Sequence, residues 1–151
     1  MSYAVPRAVV EAFYEAYTER DVEKIGEFLD DNVEWTISGP VEVLRFCGTR
    51  NGKAAVLDLI GRLVPEVFQV ISFVPNTMLI DGDKVATLNR LWAKRAIDGR
   101  VISYRLAHFM RFRDGKLFEN VTLLDSFDAV EQVLGHPLDV GPKPEGNVIA
   151  A

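Results

Sequence analysis

His108 is one of only two histidines in the chain, and it lies in the stretch SYRLAHFMRFRDGKL, residues 103 to 117, which alternates like a β-strand. Counting alternate positions places His108 on one face with Tyr104, Leu106 and Met110. An imidazole with an unperturbed pKa near 6.5 can give or take a proton near neutral pH, and apolar surroundings favour its neutral form. His108 is therefore a candidate acid or base in an apolar pocket. The alternative is a core histidine bonded to a hydroxyl or backbone group.

A few other polar side chains share this predicted environment. Tyr17 follows Phe13 by one helical turn, so its hydroxyl is a candidate catalytic donor, with a plain core position as the alternative. Asn120 and Thr122 alternate on one face of a later strand, where sparse polar groups can orient a ligand. Asp125 has the opposite parity and precedes an amphipathic run, which favours helix capping over a role in the pocket.

The rest of the predicted pocket consists mainly of aromatic and apolar side chains. Arg90, next to Trp92, is either a buried donor in this pocket or a residue at the sheet edge. Aromatic clusters of this kind are also common in plain cores. The full set of expected ligand-binding residues is Phe13, Trp35, Ile37, Arg90, Trp92, Tyr104, Met110, Asn120 and Thr122.

Composition excludes several classes of function. The 151 residues carry a formal net charge of −5, with no basic footprint of the kind that nucleic acid requires. The two histidines have no metal-ligand spacing, and GTRNGKA, residues 48 to 54, departs from the phosphate-loop pattern. We therefore expect no metal, no cofactor and no nucleic-acid partner.

The chain also lacks the pattern of a membrane protein. No stretch approaches the roughly 20 apolar residues of a membrane helix, and acids interrupt the apolar N-terminal pattern, so we expect neither a membrane partner nor a signal peptide. Cys47 is the single cysteine, which excludes an intrachain disulfide and is typical of a reducing compartment. A cytoplasmic protein is the expectation.

Local patterns predict the elements that must position these residues. Helical spacing predicts helices over residues 6 to 19, 22 to about 29, 52 to 63 and 126 to 135, with caps at Asp21 and Asn51. Alternation predicts a strand over 33 to 37, followed by a loop over 38 to 50. Three Asp-Gly pairs, at 81, 98 and 114, punctuate β-branched and aromatic runs and predict four consecutive strands.

Strands this long must twist, so the sheet should curl and require filling. We predict an α+β fold: a curled antiparallel sheet, or cone, with three N-terminal helices packed on its concave face and a short C-terminal helix. A single domain over 1–135 and a C-terminal tail over 136–151 complete the organisation.

Four segments in this order resemble the SnoaL-like group of the nuclear transport factor 2-like superfamily, which also holds ketosteroid isomerases and limonene epoxide hydrolase. They are AVVEAFYEAYTERDVEKIGEFLDDNVEW, CGTRNGKAAVLDLI, LAHFMRFRDGKL and LLDSFDAVEQVLG, and they span nearly the whole chain. The resemblance implies a cone fold and an apolar pocket.

The resemblance also shows which family residues this chain lacks. Where ketosteroid isomerases place a tyrosine, a carboxylate base and a carboxylic acid, this sequence has Phe13, then Thr36 or Ile37, then His108. Where limonene epoxide hydrolase places an Arg and two Asp, Arg90 matches the Arg, while Trp92 and Thr122 occupy the Asp positions. His108 is the one family-like polar residue expected in the cavity.

Two functions stay open at this stage. One is a small cofactor-independent enzyme of isomerase, cyclase or hydrolase type, acting by acid/base chemistry on a hydrophobic cyclic or carbonyl-bearing molecule. The other is a noncatalytic protein that binds a hydrophobic small molecule.

Val121 and Leu123 lie opposite Asn120 and Thr122, so the outer sheet face carries apolar residues, and we expect a homodimer joined through that face.

Overall fold

The computed structural model describes residues 4–142. Its helices are α1 Arg7–Glu19, α2 Val22–Glu27, α3 Lys53–Asp58, α4 Val64–Val67 and α5 Ser126–Leu134, with a π-helical turn, Leu59–Leu63, between α3 and α4. Its strands are β1 Leu29–Ser38, β2 Gly48–Asn51, β3 Phe68–Asp81, β4 Lys84–Arg95, β5 Val101–Arg113 and β6 Lys116–Leu124. The predicted α+β class is confirmed.

The first two helices begin and end where their sequence signals indicate. Pro6 stands at the N-cap of α1, and the helix ends at Arg20, whose backbone adopts the left-handed conformation with φ of 56°. The Asp21 side chain caps α2 by accepting a hydrogen bond from the Lys24 backbone N–H at 3.2 Å. The buried side of α1 carries Phe13, Tyr14 and Tyr17.

The segment that follows β1 differs from its prediction. Asn51 does not cap the third helix: it ends β2, and Gly52 takes the N-cap position with φ of 93°, a conformation that glycine adopts without strain. The expected loop therefore contains a short edge strand, too short to show alternation. Pro65 does not end the helical segment, because it lies in the first turn of α4, where its missing N–H costs little.

The six strands form one sheet in the order β2-β1-β6-β5-β4-β3. All neighbours are antiparallel except β1 and β6, which run parallel, a pairing that the sequence did not predict. The four consecutive strands of the prediction are β3 to β6. Asp114 and Gly115 turn the chain between β5 and β6 with φ of 53° and 75°, the geometry of the expected hairpin turn.

Bulges bend this sheet into an open cone. The β3–β4 register shifts between Val70 and Ser72 and again between Pro75 and Thr77, and the β5–β6 register shifts at Phe112. Across the inner face, His108 pairs with Thr87 on β4 and with Thr122 on β6, so the three side chains form one row. This row lies beneath α1.

No helix within residues 4–142 is long and apolar enough to span a bilayer. Beyond α5, residues 136 to 142 form neither helix nor strand, and residues 143 to 151 of the predicted tail lie outside the described residues. The cytoplasmic location stays a prediction of the sequence.

Candidate active site

His108 lies at the centre of an aromatic cage on the inner face of β5. Its side chain is 0% exposed, as the alternation predicted. The rings of Phe73 and Tyr14 stack on it, with centroids 5.6 and 5.9 Å away. The rings of Tyr17 and Trp35 meet it edge-on at 5.7 and 6.2 Å. These contacts fix the plane of the imidazole and exclude water from most of its surface.

One side of the imidazole is held by a chain of hydrogen bonds that we call the polar chain: Asn89, Thr87, Tyr14 and His108. The Tyr14 hydroxyl lies 2.8 Å from His108 Nδ1 and 2.6 Å from Thr87 Oγ1. Asn89 Nδ2 donates to Thr87 Oγ1 at 3.0 Å and to the Leu106 carbonyl oxygen at 3.3 Å. Three elements, α1, β4 and β5, are therefore joined through buried polar groups.

Only one end of the polar chain has a fixed direction. A carbonyl oxygen can only accept, so the Asn89 group facing Leu106 is the NH2, which also donates to Thr87. Either hydroxyl can donate between Thr87 and Tyr14, and the role of His108 Nδ1 depends on the tautomer of the ring. Where Thr87 donates to Tyr14 and Tyr14 donates to His108 Nδ1, the neutral imidazole carries its proton on Nε2. In that arrangement His108 Nε2 is a hydrogen-bond donor.

Burial governs the ionisation of these groups. Desolvation, with a smaller contribution from the positive charge of Arg20, lowers the pKa of His108 from 6.5 to about 3. Burial raises the pKa of the Tyr14 hydroxyl and of the Tyr104 hydroxyl well above their usual range. The imidazole and both phenols are therefore neutral at physiological pH.

His108 Nε2 is buried and makes no hydrogen bond to residues 4–142, and the His108 side chain lines a cavity of about 40 Å³. That volume holds about three water molecules. The lining combines aromatic, aliphatic and a few polar side chains: Tyr17, Arg20, Trp35, Ile37, Phe46, Leu59, Ile60, Val64, Phe68, Leu91, Tyr104, Leu106, His108, Thr122 and Leu124. Those that are partly exposed, and so lie at the mouth, are Arg20, Ile37, Val64 and Leu124.

The structure brings six of the predicted site residues to this cavity. They are His108, Tyr17, Trp35, Ile37, Tyr104 and Thr122. Three more, Phe13, Met110 and Asn120, are buried on the same side of the sheet but lie outside the lining. Asn120 Nδ2 donates to Thr122 Oγ1 at 3.0 Å, so Asn120 supports a lining residue without facing the cavity.

Arg90 and Trp92 do not reach the cavity, and the expectation that they line it is wrong. On β4 the buried positions are odd-numbered, so both side chains lie on the outer face. There the Arg90 guanidinium lies 5.9 Å from the Trp92 ring centre and donates to Ser103 Oγ at 2.9 Å. Two polar residues on the inner face, Thr87 and Asn89, obscure the alternation of this strand.

Sequence reasoning missed the residues that support His108 and one that borders the cavity. Tyr14, Thr87 and Asn89 form the polar chain, and Arg20 lies at the mouth. Counting alternate positions of β4 back from the apolar Leu91 would have placed Thr87 and Asn89 on the inner face.

Asp125 caps α5, accepting from the Asp128 backbone N–H at 3.5 Å, as expected. Within residues 4–142, no group of three His, Cys, Asp or Glu side chains is arranged to hold a metal ion.

A curled six-stranded sheet with helices packed on its inner face is the cone fold of nuclear transport factor 2-like proteins. A family model for the SnoaL-like domain matches residues 10–120. The chain therefore belongs to the SnoaL-like family of that superfamily.

Solved structures agree with this assignment. A candidate isomerase from Rhodopseudomonas palustris is 34% identical, with a TM-score of 0.73 over 84% of this chain and 93% of that chain. TerC, co-crystallised with polyporic acid, is 19% identical, with a TM-score of 0.73 over 84% and 96% of the two chains. A ketosteroid isomerase-like fold from Catenulispora acidiphila, in complex with trimethylamine, is 16% identical, with a TM-score of 0.70 over 91% and 99%. The comparison with curated proteins gave no match.

Proposed function

We propose that this protein is a small cofactor-independent enzyme of isomerase, cyclase or hydrolase type, acting on a hydrophobic cyclic or carbonyl-bearing molecule in the cavity. The observation that carries the proposal is His108: a fully buried imidazole, held on Nδ1 by Tyr14, that lines the cavity and whose Nε2 has no protein partner in residues 4–142. A group that only had to fill the core would be bonded on both sides.

The chemistry of such a group is stabilisation of charge on a ligand oxygen. A neutral Nε2–H aimed at a carbonyl oxygen donates a hydrogen bond that strengthens as the oxygen becomes an enolate or tetrahedral oxyanion. The apolar walls lower the local dielectric, which increases the effect. Tyr17 and Tyr104 supply two further side chains with hydroxyl groups around the same space. The polar chain fixes the orientation of His108 before the ligand arrives.

A noncatalytic binding protein is the second candidate, and one observation favours it. The lining contains no Asp or Glu, so the cavity lacks the carboxylate base that ketosteroid isomerases use. Two structures of this fold contain small organic molecules, polyporic acid in TerC and trimethylamine in the Catenulispora protein. Both functions need the same pocket and differ only in turnover.

Either function requires the cavity to widen. Ligand pockets for drug-sized molecules occupy about 300–1,000 Å³, whereas this cavity measures about 40 Å³. The π-helical turn and α4 contribute Leu59, Ile60 and Val64 to one wall. A π-helical turn is a common feature of functional sites, and this segment lies against the mouth. We expect it to shift outward when a ligand enters.

The test is a ligand panel of steroids, terpenoids and aromatic polyketides, assayed by thermal shift and by product detection. We expect carbonyl-bearing members to raise the melting temperature of wild type. His108→Asn, which keeps an acceptor for Tyr14 but removes the Nε2 donor, should weaken that shift and reduce turnover at least about a hundredfold.

The matched control is His136→Asn, because His136 is exposed after α5 and distant from the lining. It should behave as wild type. Binding without any product would leave the binding-protein function, whereas a panel with no shift at all would contradict both candidates.

A further inference from the structure

Three buried N–H groups around the cavity have no hydrogen-bond partner in residues 4–142: Arg20 Nε, Trp35 Nε1 and His108 Nε2. Trp35 is 1% exposed and His108 is 0% exposed. All three side chains belong to the cavity lining. A buried donor without a partner is destabilising, so three at one cavity require an explanation.

The three side chains that carry these N–H groups all contact Tyr17. The Arg20 guanidinium lies 4.5 Å from the Tyr17 ring centre. The Trp35 and His108 rings lie 6.0 and 5.7 Å from the same ring, and 6.2 Å from each other. The three side chains therefore surround one lining residue of the cavity. Arg20 comes from the end of α1, Trp35 from β1 and His108 from β5.

Arg20 and Trp35 can act only as donors, because arginine and tryptophan have no accepting nitrogen. His108 joins them in the tautomer that carries its proton on Nε2. The other unpartnered buried atoms with accepting character are Asn89 Oδ1 and Asn120 Oδ1, and neither residue belongs to the lining. The arrangement therefore selects a ligand with acceptor oxygens.

The charge of the cavity is also one-sided. Arg20 forms no ion pair within residues 4–142, and no carboxylate belongs to the lining. The positive charge of Arg20 also lowers the pKa of His108, after the larger effect of burial. An uncompensated guanidinium at the mouth of an apolar cavity favours an anion.

We propose that the cavity selects an apolar ring molecule bearing an acidic oxygen, a carboxylate, enolate or phenolate, which accepts hydrogen bonds from Arg20, Trp35 and His108. This inference rests on the proposed function, because it specifies the ligand of the same cavity. The ligand oxygen would give partners to three donors that the described chain leaves unpaired. The same donors would stabilise an oxyanion formed during turnover.

Matched ligand pairs separate charge from shape. Benzoate and acetophenone have nearly the same outline, as do 2-naphthoate and 2-acetylnaphthalene, and only the carboxylates are anionic at neutral pH. Isothermal titration at constant ionic strength should show each carboxylate binding about tenfold more tightly than its ketone. The two ring sizes allow for the limited volume of the cavity.

Substitutions then assign the preference to residues. Arg20→Met removes both the charge and the Nε donor, and it should abolish the preference while changing ketone affinity less than about twofold. Arg20→Lys keeps the charge without the Nε donor and should keep part of the preference. Trp35→Phe keeps a ring without the donor and should reduce carboxylate affinity, which provides a test if an Arg20 variant folds poorly. Arg90→Met, on the outer face, is the matched arginine control.

The outcomes distinguish this inference from the function on which it rests. If ketones bind as tightly as carboxylates, the cavity binds apolar molecules but the anion preference is wrong. If Arg20→Met keeps the full preference, the assignment to Arg20 is wrong. If no member of either pair binds while the panel of steroids, terpenoids and polyketides still raises the melting temperature, this inference is overturned and the pocket function stands. If that panel also gives no shift, both are overturned.

Discussion

The two faces of the curled sheet each carry side chains whose polarity is opposite to that of their surroundings. The inner face buries Thr87, Asn89, His108, Asn120 and Thr122 under α1 in an otherwise apolar core. The outer face exposes large apolar side chains, here called the outer patch: Leu79, Leu88, Phe109 and Leu123, which are 40–66% exposed.

This difference indicates that both faces serve something beyond folding. A chain selected only for stability would bury the outer side chains and replace the inner ones by apolar groups. The inner polar groups are largely satisfied within the protein. Of the residues with an atom left unpartnered in residues 4–142, His108 lines the cavity, whereas Asn89 and Asn120 do not. The outer patch has no cover within residues 4–142. We therefore expect the inner face to bind a small molecule and the outer face to bind a protein surface.

We propose that a second copy of the chain covers the outer patch, as the sequence also predicted. Leu88, Ala107 and Leu123 are paired neighbours across β4, β5 and β6, so the patch is continuous. Its borders carry both signs of charge, with Arg111 beside Glu119 on one side. In a two-fold contact each patch residue is buried twice, and opposite charges at the borders can pair.

The largest expected effect is loss of that dimer in the double variant Phe109→Glu and Leu123→Glu. Burying the exposed half of one such side chain in the dimer contributes about 1 kcal/mol to the free energy of association. The double variant loses two of these side chains from each copy, so association should weaken by at least about a thousandfold. Sedimentation velocity at micromolar concentration should show wild type as a dimer and the double variant as a monomer.

Ile97→Glu is the control for that experiment. Ile97 is 82% exposed but lies in the β4–β5 connection, away from the outer patch. Its substitution should leave the dimer intact. A monomeric wild type at the same concentration would remove the proposal.

Sequence reasoning succeeded where a pattern was long and local. The alternation of β5 placed His108 correctly because six consecutive inward positions are apolar or aromatic apart from the histidine itself. Asp-Gly turns and the caps at Asp21 and Asp125 were found because each depends on a few neighbouring residues. Local physics fixes these features regardless of the rest of the fold.

Sequence reasoning failed where the structure depends on contacts between distant segments of the chain. The parallel pairing of β1 with β6 joins segments about eighty residues apart, and no local pattern specifies it. Tyr14 and Tyr17 both face the sheet from α1, and only the packing against β4 and β5 determines that Tyr14 bonds His108. Arg90 and Trp92 were assigned by resemblance against the parity of their strand. Polar residues inside β4 hid that parity.

The second expected effect is a pH dependence of stability that comes from His108. Its pKa is about 3 in the folded protein against 6.5 when unfolded, so the unfolded state takes up the proton first as the pH falls. The contribution of neutral His108 to the free energy of unfolding is therefore fully present above pH 6.5. As the pH falls below 6.5, this contribution decreases by up to about 1.4 kcal/mol per pH unit. Urea denaturation from pH 7 to 4.5 should show wild type losing about 2–3 kcal/mol more than His108→Asn.

His136→Asn again serves as the control, because exposed His136 should leave the slope of wild type unchanged. Parallel curves for wild type and His108→Asn across this range would mean that His108 titrates alike in the folded and unfolded states. That result would contradict its burial as a neutral group.

The smallest of the three effects is a loss of stability in Tyr14→Phe. The phenol is the middle of the polar chain, so its removal takes away one hydrogen-bond partner of the Thr87 hydroxyl and the partner of His108 Nδ1. An unsatisfied buried group costs about 1–3 kcal/mol, and relaxation of Thr87 offsets part of the loss. We expect the free energy of unfolding at neutral pH to fall by about 2 kcal/mol, measured by urea denaturation.

Tyr17→Phe provides the matched comparison, three residues along the same helix. The Tyr17 ring is as buried as that of Tyr14, at 7% and 3% exposure, but its hydroxyl makes no hydrogen bond to residues 4–142 and borders the cavity. Tyr17→Phe should therefore change stability by less than about 0.5 kcal/mol, and any effect should fall on ligand affinity. Equal losses in the two variants would show that hydroxyl burial, and not the polar chain, sets the cost. In that case nothing would fix the proton of His108 on Nε2, and the donor character of the cavity would lose its structural basis.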